Sequence, residues 1–406
     1  MVEVIQLNDL PLETFVEILL KIDGNTLGRC RRVCKRWKEC IDEIDHLWQE
    51  MCRKEFTYSS RIAKRKAGNN CNWYHIYKNL TQWTNISNYE KNVKEFYKFT
   101  IHDKSHLLDI DYGILPLKDS KGIILYDITN LKYIPVALSE RNCVKIANNN
   151  CVTIIQLKSS LLIQRTVDNT TFVSEEFFKA DDFVLTNDTL YFYNNRDIFK
   201  CDLNNQNLIP KLIVHCDFDI KELQYSNGII HVFTDCGKIV NVKNNKVDVQ
   251  KLKCPIEWIK QIKHICAVND QNFICYSRNL FKIETNKYQH LYLDFPPITA
   301  LFFYIDIVLI GTKAGEILLY RLSSQKKATR PIFETLATLP EGKFAVQLDV
   351  CERRTGPVIV AATFFELFLL DIHFFPNEQK PKQTFSTNKI NMYKRLLKIK
   401  DRLNKY

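Results

Sequence analysis

Residues of the types that bind zinc lie close together near the N-terminus: Cys30, Cys34, Cys40, His46 and Cys52. A structural zinc site needs four converging ligands, which usually come from closely spaced cysteine pairs. Cys30 and Cys34 instead share an apolar helical face with Val33 and Trp37. We therefore expect buried cysteines that act as small hydrophobic side chains, and no metal.

Signatures of an active site are missing from the rest of the sequence. It contains no nucleophile elbow, no phosphate-binding glycine loop and no His-Glu-x-x-His motif. His102 and His106 flank Asp103, where we expect ordinary hydrogen bonding at the start of a strand. The nine histidines form no recognisable dyad with carboxylates, so the sequence predicts a protein that is not an enzyme and has no cofactor.

The composition is typical of a folded protein that lacks a membrane segment. A length of 406 residues suggests roughly two or three domains, and 46% hydrophobic with 25% charged residues is ordinary. Acidic residues interrupt the N-terminal stretch, so we expect no signal peptide. The most apolar run, 358–375, is broken by Glu366 and Asp371 and favours two buried strands over a membrane span. Fourteen scattered cysteines, expected to be reduced, predict a cytoplasmic or nuclear protein.

The net charge of +11 is unevenly distributed. Residues 376–406 hold nine basic and two acidic residues, whereas the long middle of the chain is neutral. The middle therefore offers no bulk polyanion-binding surface, and nucleic acid is not an expected partner. The basic tail either forms an amphipathic helix that docks on an acidic partner or a lipid surface, or it is solvated.

Helical periodicity is clearest near the N-terminus. Pro11 and the upstream Asn8-Asp9 pair favour a helix start, and apolar residues then recur at three- and four-residue spacing in three segments. We expect the first helix to end at Gly24-Asn25, the second to cover 27–41 and the third to cover 44–56. Because a domain of about fifty residues forms only a small core, a partner or the next domain should cover part of this apolar surface.

The anchors of this segment read Leu-Pro-x-Glu at 10–13, Ile-Leu at 18–19, Val-Cys-Lys-x-Trp at 33–37 and Leu-Trp at 47–48. The pattern resembles the F-box, although Gly24-Asn25-Thr26 replaces the usual leucine-proline turn. The resemblance implies binding to a Skp-type adaptor and, through it, to a cullin. It places seven residues at adaptor-binding or core positions: Leu10, Pro11, Ile18, Leu19, Val33, Cys34 and Trp37. An ordinary helical bundle without a partner is the alternative.

Residues 57–92 are predicted to be a helical and basic linker. The basic loop at 61–66 is either a short nuclear-localisation or phosphate-contact patch or a solvated loop. The aromatic segment from Trp73 to Trp83 follows it. We expect it to form a helix that fixes the orientation of the two parts of the chain, because dense aromatic side chains bury a large area.

From residue 93 onwards, short apolar runs alternate with polar turns, as in an all-β domain. A strand–turn–strand unit recurs about every forty residues, which is typical of a β-propeller with one sheet per repeat. Its second strands are centred on Leu125, Ile163, Phe199, Val240, Phe281, Leu318 and Phe368. Seven centres predict seven blades, and a strand near 93–101 should close the ring with the last blade. Two stacked sandwiches are the alternative.

This half resembles a divergent WD-repeat-like propeller, although its repeats contain no Trp-Asp dipeptide. The predicted fold class is multidomain, α followed by all-β: an F-box at 1–56, a linker at 57–92, a propeller at 93–375 and a basic tail at 376–406. The two resemblances together imply the substrate-recognition subunit of an SCF-type ubiquitin ligase, with a protein target bound at propeller residues that the sequence does not identify. A non-proteolytic scaffold is the alternative.

Overall fold

The computed structural model describes residues 10–68, 70–99, 110–119, 122–138, 144–149, 152–167, 171–205, 207–226, 228–243, 246–269, 272–278, 280–284, 289–292, 295–322 and 333–373. The Asn8-Asp9 pair, the group of His102, Asp103 and His106, and the tail at 376–406 lie outside these residues. Within them, a set of helices precedes a ring of β-sheets, and no helix is long and apolar enough to cross a membrane.

The helices of the N-terminal part are α1 (Leu12–Leu19), α2 (Gly24–Cys30), α3 (Lys35–Glu43), α4 (Asp45–Glu55), α5 (Ser59–Lys66) and α6 (Trp73–Thr84). Their apolar sides meet in one core around Leu47, Trp48 and Met51 of α4, all of which are fully buried. Burying a side chain of this size contributes about 1.5–3 kcal/mol. Trp48 also fixes α3, because its indole Nε1 donates to the carbonyl of Ile41 at 3.0 Å.

The prediction of one helix at 27–41 is wrong, because a turn divides this segment into α2 and α3. Cys34 lies at the N-cap of α3, where its Sγ accepts a hydrogen bond from the amide of Trp37 at 3.5 Å. Arg31 turns inwards at the end of α2, and its Nη2 lies 2.9 Å from Oδ2 of Asp42. These two contacts hold the turn and leave the side chains between them exposed.

The prediction that Gly24-Asn25 ends the first helix is also wrong, because these residues begin α2. Oδ1 of Asp23 caps this helix by accepting the amide of Thr26 at 2.9 Å, and that hydrogen bond lowers the pKa of Asp23. Gly24 is needed for packing, since a Cβ there would lie 2.2 Å from the ring carbon Cζ of Tyr77.

The basic segment at 61–66 forms part of α5, so the prediction of a loop is wrong. Nη2 of Arg65 lies 2.7 Å from Oδ2 of Asp111, and Nζ of Lys66 lies 3.0 Å from Oδ1 of Asp349. Both carboxylates belong to the β domain and are almost completely buried. Two of the cations are therefore paired with buried carboxylates of the β domain, and the helix carrying them docks on that domain.

The described strands form seven antiparallel sheets, which we call blades 1 to 7. Blade 1 contains β2 (Ile114–Asp119), β3 (Gly122–Asp127) and β4 (Lys132–Leu138). Blade 2 contains β5 (Lys145–Asn148), β6 (Val152–Gln156), β7 (Ser160–Val167) and β8 (Thr171–Lys179). Blade 3 contains β9 (Asp182–Leu185), β10 (Thr189–Asn194), β11 (Asp197–Asp202) and β12 (Lys211–His215). Blade 4 contains β13 (Ile220–Ser226), β14 (Ile229–Thr234), β15 (Lys238–Lys243) and β16 (Lys246–Lys251). Blade 5 contains β17 (His264–Asn269), β18 (Asn272–Tyr276), β19 (Phe281–Glu284) and β20 (Gln289–Tyr292). Blade 6 contains β21 (Ile298–Tyr304), β22 (Ile307–Thr312), β23 (Glu316–Arg321) and β24 (Phe333–Thr338). Blade 7 contains β25 (Gln347–Arg353), β26 (Gly356–Ala362), β27 (Glu366–His373) and β1 (Glu90–Lys98).

The prediction of a seven-bladed propeller is confirmed. Each of the seven predicted strand centres falls in a different sheet, and first strands of successive sheets, such as β9, β13 and β17, lie side by side. β1 closes the ring by pairing with β27, where Val93 lies opposite Leu370. The two buried strands predicted at 358–375 are β26 and β27. A short helix that was not predicted, α7 (Ile256–Gln261), follows β16.

α6 is the predicted aromatic helix, and it packs against blade 7. Oε1 of Glu352 in β25 accepts hydrogen bonds from Nε1 of Trp83 and from the hydroxyl of Tyr304, both at 2.6 Å. Nδ2 of Asn79 donates to the carbonyl of Arg353 at 2.9 Å. All these side chains are buried. Burial raises the pKa of Glu352 above its usual 4.5, although the two hydrogen bonds oppose the shift.

Replacing Glu352 by Gln should therefore change stability in a pH-dependent way. The folded state binds the Glu352 proton more tightly than the unfolded state, so this residue stabilises the fold at low pH and loses that contribution as the pH rises through its folded pKa. Glutamine retains an acceptor for Trp83 and Tyr304 but carries no charge. We expect the free energy of unfolding of Glu352→Gln, relative to the native chain, to increase from pH 4.5 to pH 8.

Guanidinium unfolding followed by tryptophan fluorescence at several pH values would measure this difference. Glu341→Gln, which removes an exposed carboxylate from a loop of the propeller, is the matched control. A difference that stays constant across the pH range would contradict the assignment of Glu352 as a buried charge.

Candidate adaptor interface

Exposed apolar side chains of the helical part lie on α1 and just before α3, and also at Tyr58 and Ile62 near α5. Leu12 and Ile18 are 50% and 41% exposed, and Val33 is 63% exposed. Pro11 and Cys34 are exposed beside them in sequence. We call these five residues the apolar patch. Large exposed apolar side chains on neighbouring elements of a folded surface can form a protein-binding site.

A shallow hollow separates α1 from α3 within this surface. The rings of Phe15 and Trp37 meet edge to face with centroids 4.9 Å apart, which holds the two helices together. Nη2 of Arg36 lies 3.5 Å from the carbonyl oxygen of Leu10. The hollow is lined by Leu12, Phe15, Arg36, Trp37 and Cys40.

The seven residues predicted at adaptor-binding or core positions divide into three groups by their exposure. Leu19 belongs to the core of the helical part and is 2% exposed. Leu10 and Trp37 are half-buried. The other four are exposed: Pro11, Ile18, Val33 and Cys34.

Two features of the patch differ from the sequence prediction. Cys34 is exposed, so the prediction that it is buried like Cys30 is wrong; Cys30 itself is half-buried. Leu12 was not among the predicted residues, although its three-residue spacing to the buried Phe15 is a signal that it lies on the same side of α1.

Positive charge surrounds the start of α3. Its exposed cations include Arg36, which also contacts the carbonyl oxygen of Leu10, and Lys35, which forms a surface ion pair with Glu39 at an N–O distance of 3.6 Å. Such a pair contributes little to stability. The exposed basic residues of this surface are Arg29, Arg32, Lys35, Arg36 and Lys38.

A carboxylate ties the patch-bearing helices to α6. Glu55 at the end of α4 accepts the amide of Gly24 and the hydroxyl of Tyr77, both at 2.7 Å. Burial and the contact with Glu55 raise the pKa of Tyr77, so its phenol remains a donor. The position of α2 is thus fixed relative to the helix that docks on the propeller.

Metal binding finds no support in the geometry of the residues described. Among them, no group of three or more His, Cys, Asp and Glu side chains converges on a possible ion site. Cys52, one of the candidate ligands, is buried in the helical core, and burial raises the pKa of its thiol to about 12.

The buried residue and the exposed residues of the predicted set should respond differently to truncation. Leu19→Ala creates a cavity in the helical core, and we expect it to lower the free energy of unfolding by about 2–5 kcal/mol. Ile18→Ala removes a side chain that lies at the surface and is 41% exposed, and it should change the free energy of unfolding much less, by about 0.5 kcal/mol. Denaturant unfolding of both variants measures the two effects, and equal destabilisation would contradict the division into core and patch.

Comparison with known proteins agrees with both parts of the structure. Residues 7–54 match the F-box-like domain family. A search of curated proteins gives no match. Among solved structures, the crystal structure of BBS1N in complex with ARL6DN is 12% identical, with a TM-score of 0.51 over 70% of this chain and 97% of that chain.

Two other structures align with a similar share of the chain. The N-terminal domain of Nup159 is 10% identical and aligns over 70% of this chain and 96% of that chain, with a TM-score of 0.48. Kluyveromyces lactis Hsv2 is 13% identical and aligns over 65% of this chain and 96% of that chain, with a TM-score of 0.44. At 12% identity the likeness to the BBS1N structure extends to the fold alone, and the other two, with TM-scores below 0.5, carry no argument about this chain. The chain therefore carries an F-box-like domain at residues 7–54, joined to a seven-bladed β-propeller in an architecture built for protein interaction.

Proposed function

We propose that this chain is the substrate-recognition subunit of an SCF-type ubiquitin ligase. Its F-box-like helices bind a Skp-type adaptor, which connects it to a cullin, and its propeller binds the protein to be ubiquitinated. The observation that carries the proposal is the apolar patch, whose three large side chains are 41–63% exposed beside a helical core that buries Phe15 and Leu19 of the same helix.

The arrangement of the two parts supports this role. Such a subunit needs no catalytic group, because it accelerates modification by holding the target and the charged conjugating enzyme in one assembly. The twelve cysteines in the described part of the chain are free thiols. This fits the cytoplasmic or nuclear location that we propose for the protein.

Adaptor binding would be tested by co-purifying the full chain with a Skp-type adaptor. Ile18→Asp together with Val33→Asp places two charges in the apolar patch, and we expect the complex to be lost because a buried, unpaired carboxylate is costly. Ile209→Asp is the matched control, since Ile209 is 67% exposed but lies on the propeller. A complex that survives the double substitution would refute this interface.

Delivery of a target is a separate question that the same variants can answer. In cells, proteins that bind the propeller should accumulate when the chain carries Ile18→Asp and Val33→Asp, and should turn over normally with Ile209→Asp. If adaptor binding is lost but no propeller-bound protein changes its turnover, the chain is a non-proteolytic scaffold.

The basic residues around α3 predict an acidic surface on the adaptor. Opposite charges at the rim of an interface mainly raise the association rate, and salt screens this effect. Arg32→Glu together with Lys35→Glu should lower the association rate constant by about tenfold at low salt and leave the dissociation rate nearly unchanged.

Surface plasmon resonance at several salt concentrations would separate the two rates. The control is Lys260→Glu, which replaces an exposed lysine on α7 of the propeller. It changes the net charge of the chain by the same amount per substituted site. An association rate that does not depend on salt would rule out the electrostatic contribution.

A further inference from the structure

The turn between β26 and β27 presents two phenylalanines at the surface. Phe364 and Phe365 are 46% and 40% exposed. The ring of Phe364 meets that of Phe344, in the connection between β24 and β25, edge to face at a centroid distance of 5.8 Å. Blades 2 to 6 have turns at the same position, between their second and third strands, and none of these carries an exposed aromatic residue in its described part. The exposed rings are therefore a local feature of blade 7.

Hydrogen bonds hold this turn in one conformation. Thr363 is 4% exposed, and its Oγ1 accepts the amides of Phe365 at 3.3 Å and Glu366 at 2.9 Å. The same hydroxyl donates to Oε2 of Glu366 at 2.7 Å, and the carbonyl of Phe365 accepts the amide of Phe99 at 2.6 Å. A turn that is already ordered loses little conformational freedom when a partner binds, so the exposed rings are preorganised for contact.

The turn lies at the end of blade 7 that faces away from the helical part. α6 docks at the other end of the same blade, where Nδ2 of Asn79 donates to the carbonyl of Arg353 at 2.9 Å. Arg353 pairs with Gly356, the first residue of β26, whereas the turn follows Ala362, its last residue. At about 3.4 Å per residue, these two ends of β26 are about 20 Å apart. The phenylalanine turn and the docked helices are therefore on opposite faces of the propeller.

Two exposed cations lie on the corresponding turns of blades 6 and 5, which are Lys313 and Arg278. The turn of blade 6 contacts the connection between β24 and β25, because the carbonyl of Gly315 accepts the amide of Leu339 at 2.9 Å. The dipeptide at 297–298 joins the two turns. Its first carbonyl accepts the amide of Lys313, and its second amide donates to the carbonyl of Arg278, both at 2.8 Å. We call the following residues the phenylalanine surface: Phe344, Phe364, Phe365, Lys313 and Arg278.

The two cations of this surface are available to a ligand. Neither the side chain of Lys313 nor that of Arg278 forms a hydrogen bond or an ion pair with the residues that the structure describes. The charge of the nearby Lys343 is balanced instead, because its Nζ lies 3.0 Å from Oε1 of Glu366 and 3.5 Å from Oε2 of Glu95. Positive charge for a partner beside the rings therefore comes from the turns of blades 5 and 6.

We propose that the phenylalanine surface binds a segment of the target protein that places apolar side chains beside carboxylates. The apolar side chains would cover Phe364 and Phe365, and aromatic residues and arginine are enriched in protein interfaces. The carboxylates would lie against Lys313 and Arg278, whose guanidinium can bind a carboxylate through two parallel hydrogen bonds. The inference rests on the proposed function only for the fate of the bound protein, which is ubiquitination.

The charges of the surface disfavour other occupants. The tail at 376–406 has nine basic and two acidic residues, so Lys313 and Arg278 would repel it. A second copy of the chain, docked about a two-fold axis, would bring the same two cations together from both sides. An anionic lipid surface would meet the exposed carboxylate of Glu341, in the connection between β24 and β25. An acidic and apolar protein segment satisfies both the rings and the cations.

Selection from a phage-displayed library of short random peptides on the full chain tests the chemistry of the ligand. We expect the enriched peptides to combine aromatic or aliphatic residues with Asp or Glu. A fluorescein-labelled synthetic copy of the most enriched peptide then gives a dissociation constant by fluorescence anisotropy. Enriched peptides that are basic or purely apolar, or no enrichment at all, would overturn the proposal.

Substitutions of the rings show whether the peptide binds at this surface. Phe364→Ser together with Phe365→Ser should raise the dissociation constant by about tenfold or more, because the contact with the apolar side chains is lost. Phe177→Ser is the matched control, since Phe177 is 61% exposed on β8 of blade 2, and it should leave the dissociation constant unchanged. Circular dichroism reports that each variant is folded. An equal loss of binding in the control, or no loss in the double variant, would contradict the assignment.

Substitutions of the cations test the acidic part of the ligand independently. Lys313→Glu together with Arg278→Glu should raise the dissociation constant by about tenfold at low salt, and by less at high salt because ions screen the attraction. Lys158→Glu is the control, because Lys158 is an exposed lysine on the corresponding turn of blade 2. An affinity that does not respond to the double charge reversal would overturn the acidic character of the ligand.

This inference and the proposed function can fail separately. A chain with Ile18→Asp and Val33→Asp should lose the adaptor and still bind the peptide with an unchanged dissociation constant, because both substitutions lie in the helical part. Peptide binding at the phenylalanine surface without adaptor binding supports this inference and contradicts the proposed function. Adaptor binding without peptide binding does the reverse.

Three further results would overturn the proposal in favour of another occupant. Co-sedimentation with phosphatidylserine vesicles that is lost on Phe364→Ser with Phe365→Ser would assign the surface to a membrane. A dimer that dissociates on the same substitutions in sedimentation velocity would assign it to a second copy. A synthetic peptide with the sequence of residues 376–406 that displaces the labelled peptide would assign it to the tail.

Discussion

The buried carboxylate of Glu352 is the contact on which the arrangement of the two parts depends. It lies in β25, the inner strand of the blade that closes the ring, and it accepts hydrogen bonds from Trp83 of α6 and Tyr304 of blade 6. A buried charge is tolerated only when it is hydrogen-bonded, so the positions of all three elements are coupled. Lys66 of α5 makes a second such contact with Asp349, on the same strand.

Neighbouring blades of the propeller contact each other without the Trp-Asp pairs of the WD repeats that they resemble. Side chains of one blade bind the free edge of the inner strand of the next. Oε1 of Gln224 in blade 4 accepts the amide of Ala267 in blade 5 at 2.9 Å, and Nζ of Lys145 in blade 2 donates to the carbonyl of Phe183 in blade 3 at 2.8 Å. Because backbone groups at an inner edge must be satisfied, these bonds align neighbouring blades as well as join them.

The sequence carries the repeat of the propeller but not the contacts between its distant segments. The blade count was predictable because each repeat places an apolar strand centre in an equivalent buried position. The division of α2 from α3 was not, since the apolar spacing continues through the turn, which is held by the contact of Arg31 with Asp42. The ion pairs of α5 were also hidden, because Lys66 and its partner Asp349 lie 283 positions apart. A local pattern of basic residues cannot distinguish a solvated loop from a docked helix.

The candidate interface shows the same limit. Motif spacing identified α1 and the start of α3, because the motif's apolar anchors are local in sequence. It did not separate the core residue Leu19 from the exposed Ile18 next to it, since this depends on which side of α1 faces the helical core. The exposed fractions of the side chains in the folded chain separate these two residues, and they add Leu12 to the candidate interface.

The joint between the two parts has a consequence for the proposed function. Both α5 and α6 contact blade 7 through buried groups, and Glu55 fixes α2 to α6. A flexible linker would let a bound target sample a wide range of distances from the adaptor, which lowers its effective concentration at any one of them. Direct docking limits that range, and the cost of ordering the joint is met when the chain folds rather than when the target binds. A receptor built in this way depends on the geometry of its joint as much as on the surfaces at its two ends.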